Sequence, residues 1–236
     1  YHKFFDTIDI NILLEQALYS EYPTSNICLA LQQHLAPRVI QVSGFASAPV
    51  TVTHSILAGC QQSVPLTRAL LNKNMSQLAK DHPKAPPNVF VDDTAMACSF
   101  NRWSKVQSAL AGVLLQFSKC VKSLNLALSP KAVLAVSHVK CGIALQKELE
   151  AHNIFFKIAG KEGARDLGIS HTAGMRRPGK ICINRKLKTK NRKLRINTIA
   201  KVNRRAKILY TGSALPADIW GHQGCGLAPS HIIAIE

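Results

Sequence analysis

Asp92 and Asp93 are adjacent carboxylates between two strand-forming runs, Asn88-Val89-Phe90-Val91 ahead of them and Thr94-Ala95-Met96-Ala97-Cys98 behind. Two strands joined at such a pair predict a hairpin whose tip carries negative charge. Neighbouring carboxylates repel unless a cation lies between them. Carboxylate-held Mg²⁺ is the usual apparatus of nucleotidyl transfer, in which two metal ions clamp the attacking and leaving oxygens. The plain alternative is a solvated turn, since Asp is common in turns for local hydrogen bonding. The segments on either side decide between the two.

The elements around the hairpin read as helices and short strands in alternation. Ile10, Leu13, Leu14, Ala17 and Leu18 fall at helical spacing behind Asp9, a residue type suited to the N-cap. A second helix is expected over 26–35, ending before Pro37. The runs 38–42 and 50–54 predict a hairpin. Residues 65–78 read as a helix with Pro65 in its first turn. Trp103, Val106, Leu110, Val113, Leu114, Phe117, Val121 and Leu124 form the clearest amphipathic stripe. Short strands are expected at 126–128 and 132–136, a helix over 139–151 and a strand over 154–159. The expected class is α+β, with helices covering one face of an antiparallel sheet.

Composition shifts after Asp166, and no Asp or Glu recurs before Asp218. Fourteen Lys and Arg residues fall between Arg176 and Lys207, among them Arg192, Lys193, Arg195, Arg204 and Arg205. Ile199, Val202, Ala206 and Leu209 give this stretch an expected apolar helical face. A boundary near 170–179 therefore divides the chain into 1–170 and a basic, mainly helical 171–236. No internal repeat is visible.

The formal net charge of +17 over 236 residues calls for an anionic partner. Nucleic acid suits it better than a membrane surface, because the charge does not ride on one apolar-faced helix. The most apolar run, 109–115, is too short to span a bilayer. The seven cysteines form no C-x-x-C pair and read as reduced thiols of an intracellular protein. His222, Cys225 and His231 lack the second cysteine pair that a zinc site would need. No phosphate-binding Walker loop, Ser-His-Asp order or H-E-x-x-H helix is present.

Four further segments lie in a fixed order around the carboxylates: Phe5-Asp6, Gln62-Ser63-Val64-Pro65-Leu66-Thr67, Leu128-Ser129-Pro130-Lys131 and Asp166-Leu167-Gly168. With Phe90-Val91-Asp92-Asp93, this series resembles the palm motifs of reverse transcriptases, above all those of non-long-terminal-repeat retrotransposons and group II introns. The hairpin and the Gln-x-x-Pro turn are the specific part. The aromatic-x-Asp-Asp form differs from viral RNA-dependent RNA polymerases, which more usually carry Gly before the pair.

The resemblance implies a right-hand polymerase palm over 1–170 and a basic helical thumb over 171–236. It implies template-primed nucleotidyl transfer with an RNA template, a DNA primer, dNTPs and Mg²⁺, for which Mn²⁺ can stand in. Asp92 and Asp93 would be catalytic metal ligands. Lys131 would protonate the pyrophosphate leaving group. Phe5, Gln62, Ser63 and Pro65 would line the nucleotide site, Phe5 as a steric gate against a ribose 2′-hydroxyl. Leu167 and Gly168 would position the primer strand. Arg192, Lys193, Arg195, Arg204 and Arg205 would clamp phosphates without reading sequence.

Two departures bear on activity. Ser63 stands where the family has Gly. Counting back from Phe5, the family's first metal-binding Asp falls one position before Tyr1. The fingers that in the family precede the first palm motif are also missing, so the chain on its own is expected not to polymerise, and Asp6 reads as a helix-start residue rather than a substitute ligand. The alternatives are a degenerate copy that binds nucleic acid without catalysis, and a maturase-like protein that binds intron RNA. A nuclear or cytoplasmic ribonucleoprotein is the expected setting, and the oligomeric state stays open.

Overall fold

The computed structural model describes residues 1–159, 164–166, 169–171 and 179–220. They form mixed α and β structure in which helix predominates. The chain divides into two compact units, one of Tyr1–Ala132 with Ile143–Phe156, the other of Val133–Gly142 with the described residues from Lys157 on. The boundary expected near 170–179 falls mostly on 172–178, outside the described residues.

In the first unit, α1 (Phe4–Thr7) is a single turn, followed by α2 (Ile10–Tyr19) and α3 (Thr24–Leu35). Asp9 caps α2 as its residue type predicts, its Oδ1 accepting from the amides of Asn11 at 2.9 Å and Ile12 at 3.3 Å. Those bonds hold the Asp9 carboxyl below its usual pKa, the Ile12 amide contributing most. Asp6 sits inside the first turn of α1 and makes no capping bond, so Asp9 alone does the capping expected near this point.

Strands β1 (Gln41–Val42) and β2 (Phe45–Ala46) pair through a two-residue Ser43-Gly44 turn, both residues at positive φ, the geometry that matches strand twist. Beyond this ladder the expected hairpin continues as the Ser47 amide donating to the Ile40 carbonyl at 2.9 Å and an isolated Arg38–Val50 bridge. Helix α4 (Ser63–Asp81) buries Leu66, Leu70, Leu71 and Leu78, and α5 (Trp103–Ser123) buries Val113, Leu114, Phe117 and Val121. The α5 stripe follows the sequence pattern except at Trp103, which is exposed at the helix start. A polar chain links the two helices: His82 bonds Gln116 at 2.7 Å, and Gln116 donates to Asp81 at 2.6 Å.

Strands β3 (Pro87–Phe90) and β4 (Asp93–Met96) form the carboxylate hairpin. The ladder stops at Met96 because its partner is Pro87, which has no N–H to donate. Residues 97–100, expected to continue the strand, are therefore irregular.

In the second unit, β5 (Val133–Leu134) pairs parallel with β6 (Lys157–Ile158). Helix α6 (Val139–Glu150) connects them along the chain, its residues up to Gly142 counted in this unit and those from Ile143 in the first. Strands β7 (Ala164–Asp166) and β8 (Ile169–His171) pair antiparallel. The long basic helix α7 (Gly179–Val202) follows. A 3₁₀ turn (Arg204–Lys207), a π turn (Tyr210–Ala214) and α8 (Leu215–Ile219) complete the described chain.

Three expectations need correction. The described strands do not join one antiparallel sheet. They form four separate two-stranded ladders, one of them parallel, because each is only two to four residues long. Residues 126–128 form no strand, and their one link of that kind is the His2 amide donating to the Ala127 carbonyl at 2.9 Å. The apolar face expected over 199–209 is also redrawn. Val202 is 93% exposed, and Ile199 and Leu209 are exposed as well, while Ile196, Thr189 and Ala206 are buried. Asn203 takes an extended conformation, and its side chain caps the Arg205 amide, which breaks the helical period there.

Candidate carboxylate site and basic face

The hairpin turn consists of Val91 and Asp92, because Phe90 pairs with Asp93. Val91 has φ +57°, a left-handed conformation that a β-branched residue adopts only under strain. Such strain persists only where surrounding structure dictates it, and it concentrates at functional sites. It places Asp92, half-buried, and Asp93, exposed, next to each other in sequence at the hairpin tip.

Asp92 is flanked by the start of the chain. The Tyr1 ring packs against Phe4 at 5.1 Å and Phe117 at 6.0 Å between centroids. This packing brings the phenol beside Thr94 and within the electrostatic reach of Asp92. Burial pushes the phenol up to about 12; the nearby Thr94 hydroxyl opposes that, and charge at Cys120 and Asp92 adds to it. The Tyr1 and Thr94 hydroxyls do not reach hydrogen-bond geometry, and both oxygens are buried without a partner.

The Gln62-Ser63 turn opens α4. Gln62 Oε1 accepts from the Tyr22 hydroxyl at 3.2 Å, which ties the side chain to the α2–α3 connection. Ser63 is buried, and its hydroxyl donates to the Leu57 carbonyl. A glycine here would leave this loop closure unmade, so the serine shapes the turn from inside rather than presenting a side chain at the surface. Pro65 lies in the first turn of α4, where its missing N–H costs nothing. Phe5 is half-buried, packs edge-on against Phe4 at 5.4 Å, and its carbonyl accepts from the Ile56 amide at 3.0 Å.

Lys131 is exposed on a turn closed by Ser129, whose Oγ accepts from the Lys131 amide at 3.2 Å. Leu167 and Gly168 lie outside the described residues, as do His222, Cys225 and His231. Arg192, Lys193 and Arg195 are exposed on α7, and Arg204 and Arg205 on the turn that follows. Helix α7 carries nine Lys and Arg residues and no acid. Pairs such as Lys186 with Lys190 and Lys188 with Arg192 stand four apart, where like charges each destabilise a helix by roughly 0.2–0.5 kcal/mol. A bound polyanion would relieve that repulsion.

Among the described residues no three His, Cys, Asp or Glu side chains converge as a metal-binding group. Asp92 and Asp93 are therefore two carboxylates without a third described ligand side chain beside them, and Mg²⁺ is often held by one or two carboxylates together with substrate phosphates and water. No described helix is long and apolar enough to cross a membrane.

Reading the sequence misses Tyr1, Thr94 and Tyr22. Their signals are an aromatic ahead of Phe4-Phe5, a hydroxyl right after the carboxylates and a lone tyrosine between two helices. Only tertiary packing gives those positions meaning. Against models of protein families, curated proteins and solved structures, the chain has no match.

Proposed function

We propose that this chain is the palm-and-thumb portion of a reverse-transcriptase-type, RNA-directed DNA polymerase of a retrotransposon. The observation that carries the reading is the Val91-Asp92 turn, a strained two-residue hairpin with adjacent carboxylates at its tip. The Gln62-Ser63 turn and the acid-free helix α7 support it.

In this reading Asp92 and Asp93 hold Mg²⁺, which supplies a more acidic primer hydroxyl and neutralises charge on the transferred phosphoryl group. The protein's own share is placement. Asp92 is set by the turn and by the Tyr1–Thr94 packing beside it. Gln62, fixed by Tyr22, faces the nucleotide at the start of α4. Phe5 supplies the apolar edge that disfavours a 2′-hydroxyl. Lys131 delivers a proton to the leaving pyrophosphate. The cations of α7 hold template and primer through their phosphates, with affinity that falls steeply in salt.

A second reading, a nucleic-acid-binding protein without catalysis, draws on the same helix and on the absence of a third converging carboxylate among the described residues. Primer extension on an RNA template separates the two. The polymerase reading expects the complete reading frame to extend primers in Mg²⁺ and Asp92→Asn to abolish extension, with nucleic-acid binding retained. Binding without extension by the complete frame sinks it in favour of the second reading. The isolated chain is expected to bind an RNA–DNA hybrid without extending it; robust extension, lost in Asp92→Asn, would overturn that expectation.

A further inference from the structure

His34, near the end of α3, is fully buried. Its Nδ1 accepts from the Leu57 amide at 2.9 Å, which places the proton of the neutral ring on Nε2. That Nε2 is buried without a partner. Leu57 ends a strap of three amides that each reach a different anchor. Ser55 donates to the Ile8 carbonyl at 3.0 Å, Ile56 to the Phe5 carbonyl at 3.0 Å, and Leu57 to His34. The Leu57 carbonyl in turn accepts from the Ser63 hydroxyl and from the Cys60 amide at 3.2 Å. One residue therefore joins a buried imidazole to the turn that carries Gln62 and Ser63, and the same strap holds Phe5.

We propose that His34 is a positioning residue for the Gln62-Ser63 turn, acting through the Leu57 peptide and keeping that turn in register with Phe5. The inference deepens the polymerase reading, in which Phe5 and Gln62 face the nucleotide, but the relay itself is a property of this fold. It works only while Nδ1 is an acceptor. A protonated ring would turn an N–H toward the Leu57 N–H and expel it. Burial, with the Arg38 charge second, holds His34 below the usual histidine range. Arg38 is the charged neighbour, its Nη2 lying 3.4 Å from the His34 carbonyl and 3.1 Å from Ser55 Oγ. The strap facing the ring carries Ser55, Ile56 and Leu57, none of which titrates near neutrality. Beyond it the Cys60 thiol donates to Gln33 at 3.5 Å.

The test is amide exchange and imidazole ¹⁵N shifts measured on the full chain. Wild type is expected to show the Nε2–H tautomer at pH 7. His34→Leu is expected to lower protection of the Leu57 and Ser63 amides by about tenfold, the loss of one buried hydrogen bond. Val113 and Phe117 in α5 should keep theirs. His34→Asn offers Oδ1 near the place of Nδ1 and should restore protection, now without the loss on acidification that wild type shows. An Nδ1–H tautomer, unchanged Leu57 protection in His34→Leu, or equal failure of the Leu and Asn variants would overturn the proposal. Primer extension by the complete reading frame decides the polymerase reading separately. If that fails while Leu57 protection follows the Leu and Asn variants as stated, the relay stands and only the catalytic reading falls.

Discussion

The ring of Tyr1 lies 6.0 Å from that of Phe117, and this packing sets a buried phenol beside Thr94 and under the influence of Asp92. The contact joins three separate stretches of chain, the first residue, helix α5 and the carboxylate hairpin. Because the Tyr1 hydroxyl has no satisfied partner, Tyr1→Phe should change stability by less than about 1 kcal/mol. Tyr1→Ala removes the ring contacts and should cost about 3 kcal/mol. The sign of the pH effect follows from the raised phenol. Stability that depends on the neutral form is complete below pH 10 and is lost as pH rises toward about 12. Thermal melts between pH 9 and 12 should show a loss in that window that Tyr1→Phe lacks.

Val91 at φ +57° predicts that glycine fits the hairpin turn better than valine does. Val91→Gly should raise stability by up to about 1 kcal/mol, the relief of strain being partly offset by a more flexible unfolded chain. In the polymerase reading the same substitution should lower extension, because the tip no longer fixes Asp92. Denaturant midpoints and extension rates measured on the same variant check the two signs together. Higher stability with full activity would remove any functional role for the strain.

Gly142 has no room for a side chain. A Cβ there would stand 2.7 Å from Cγ2 of Val136 and 3.6 Å from Cδ1 of Ile158. Gly142→Ala should therefore destabilise by about 1–3 kcal/mol through overpacking. Val136→Ala removes the offending methyl and should recover part of the loss in the double variant. Additive losses in that double-mutant cycle would mean the crowding is elsewhere.

Much of the helical structure is legible in the sequence because it rests on local signals. The Asp9 cap, the Pro65 start of α4 and the 3.6-residue stripe of α5 all act within a few residues of chain. The carboxylate hairpin is equally visible, since the two-residue turn and its flanking runs are adjacent in sequence. The four separate ladders are not, because whether hairpins join into one sheet depends on tertiary contacts that no local pattern encodes, and strands of two to four residues offer little to specify it. The α7 face reads wrongly because Asn203 breaks the helix inside an apolar pattern that continues past it. His34 escapes a sequence reading for a related reason. Its partner Leu57 lies 23 residues away, and a lone histidine in an apolar helix carries no signature of the amide that it receives.

Helix α7 gives the most quantitative test of the proposed anionic partner. Arg192, Lys193 and Arg195 are exposed within one turn, and no acid on the helix competes for them. If they meet phosphates, the triple replacement by Gln should weaken binding to RNA–DNA hybrid, duplex DNA and single-stranded RNA alike, since such contacts carry no sequence information. The slope of log affinity against log salt should fall by roughly 1 for each phosphate that is no longer neutralised, up to about 3 for the triple variant. Folding should hold or improve, because removing like charges four apart relieves repulsion along the helix. Titrations at several salt concentrations, with a thermal melt of the same sample, measure both effects. An unchanged slope would remove these three cations from the proposed nucleic-acid face, while a lower slope with a stabler helix would show a segment whose charge is retained for binding at the expense of its own stability.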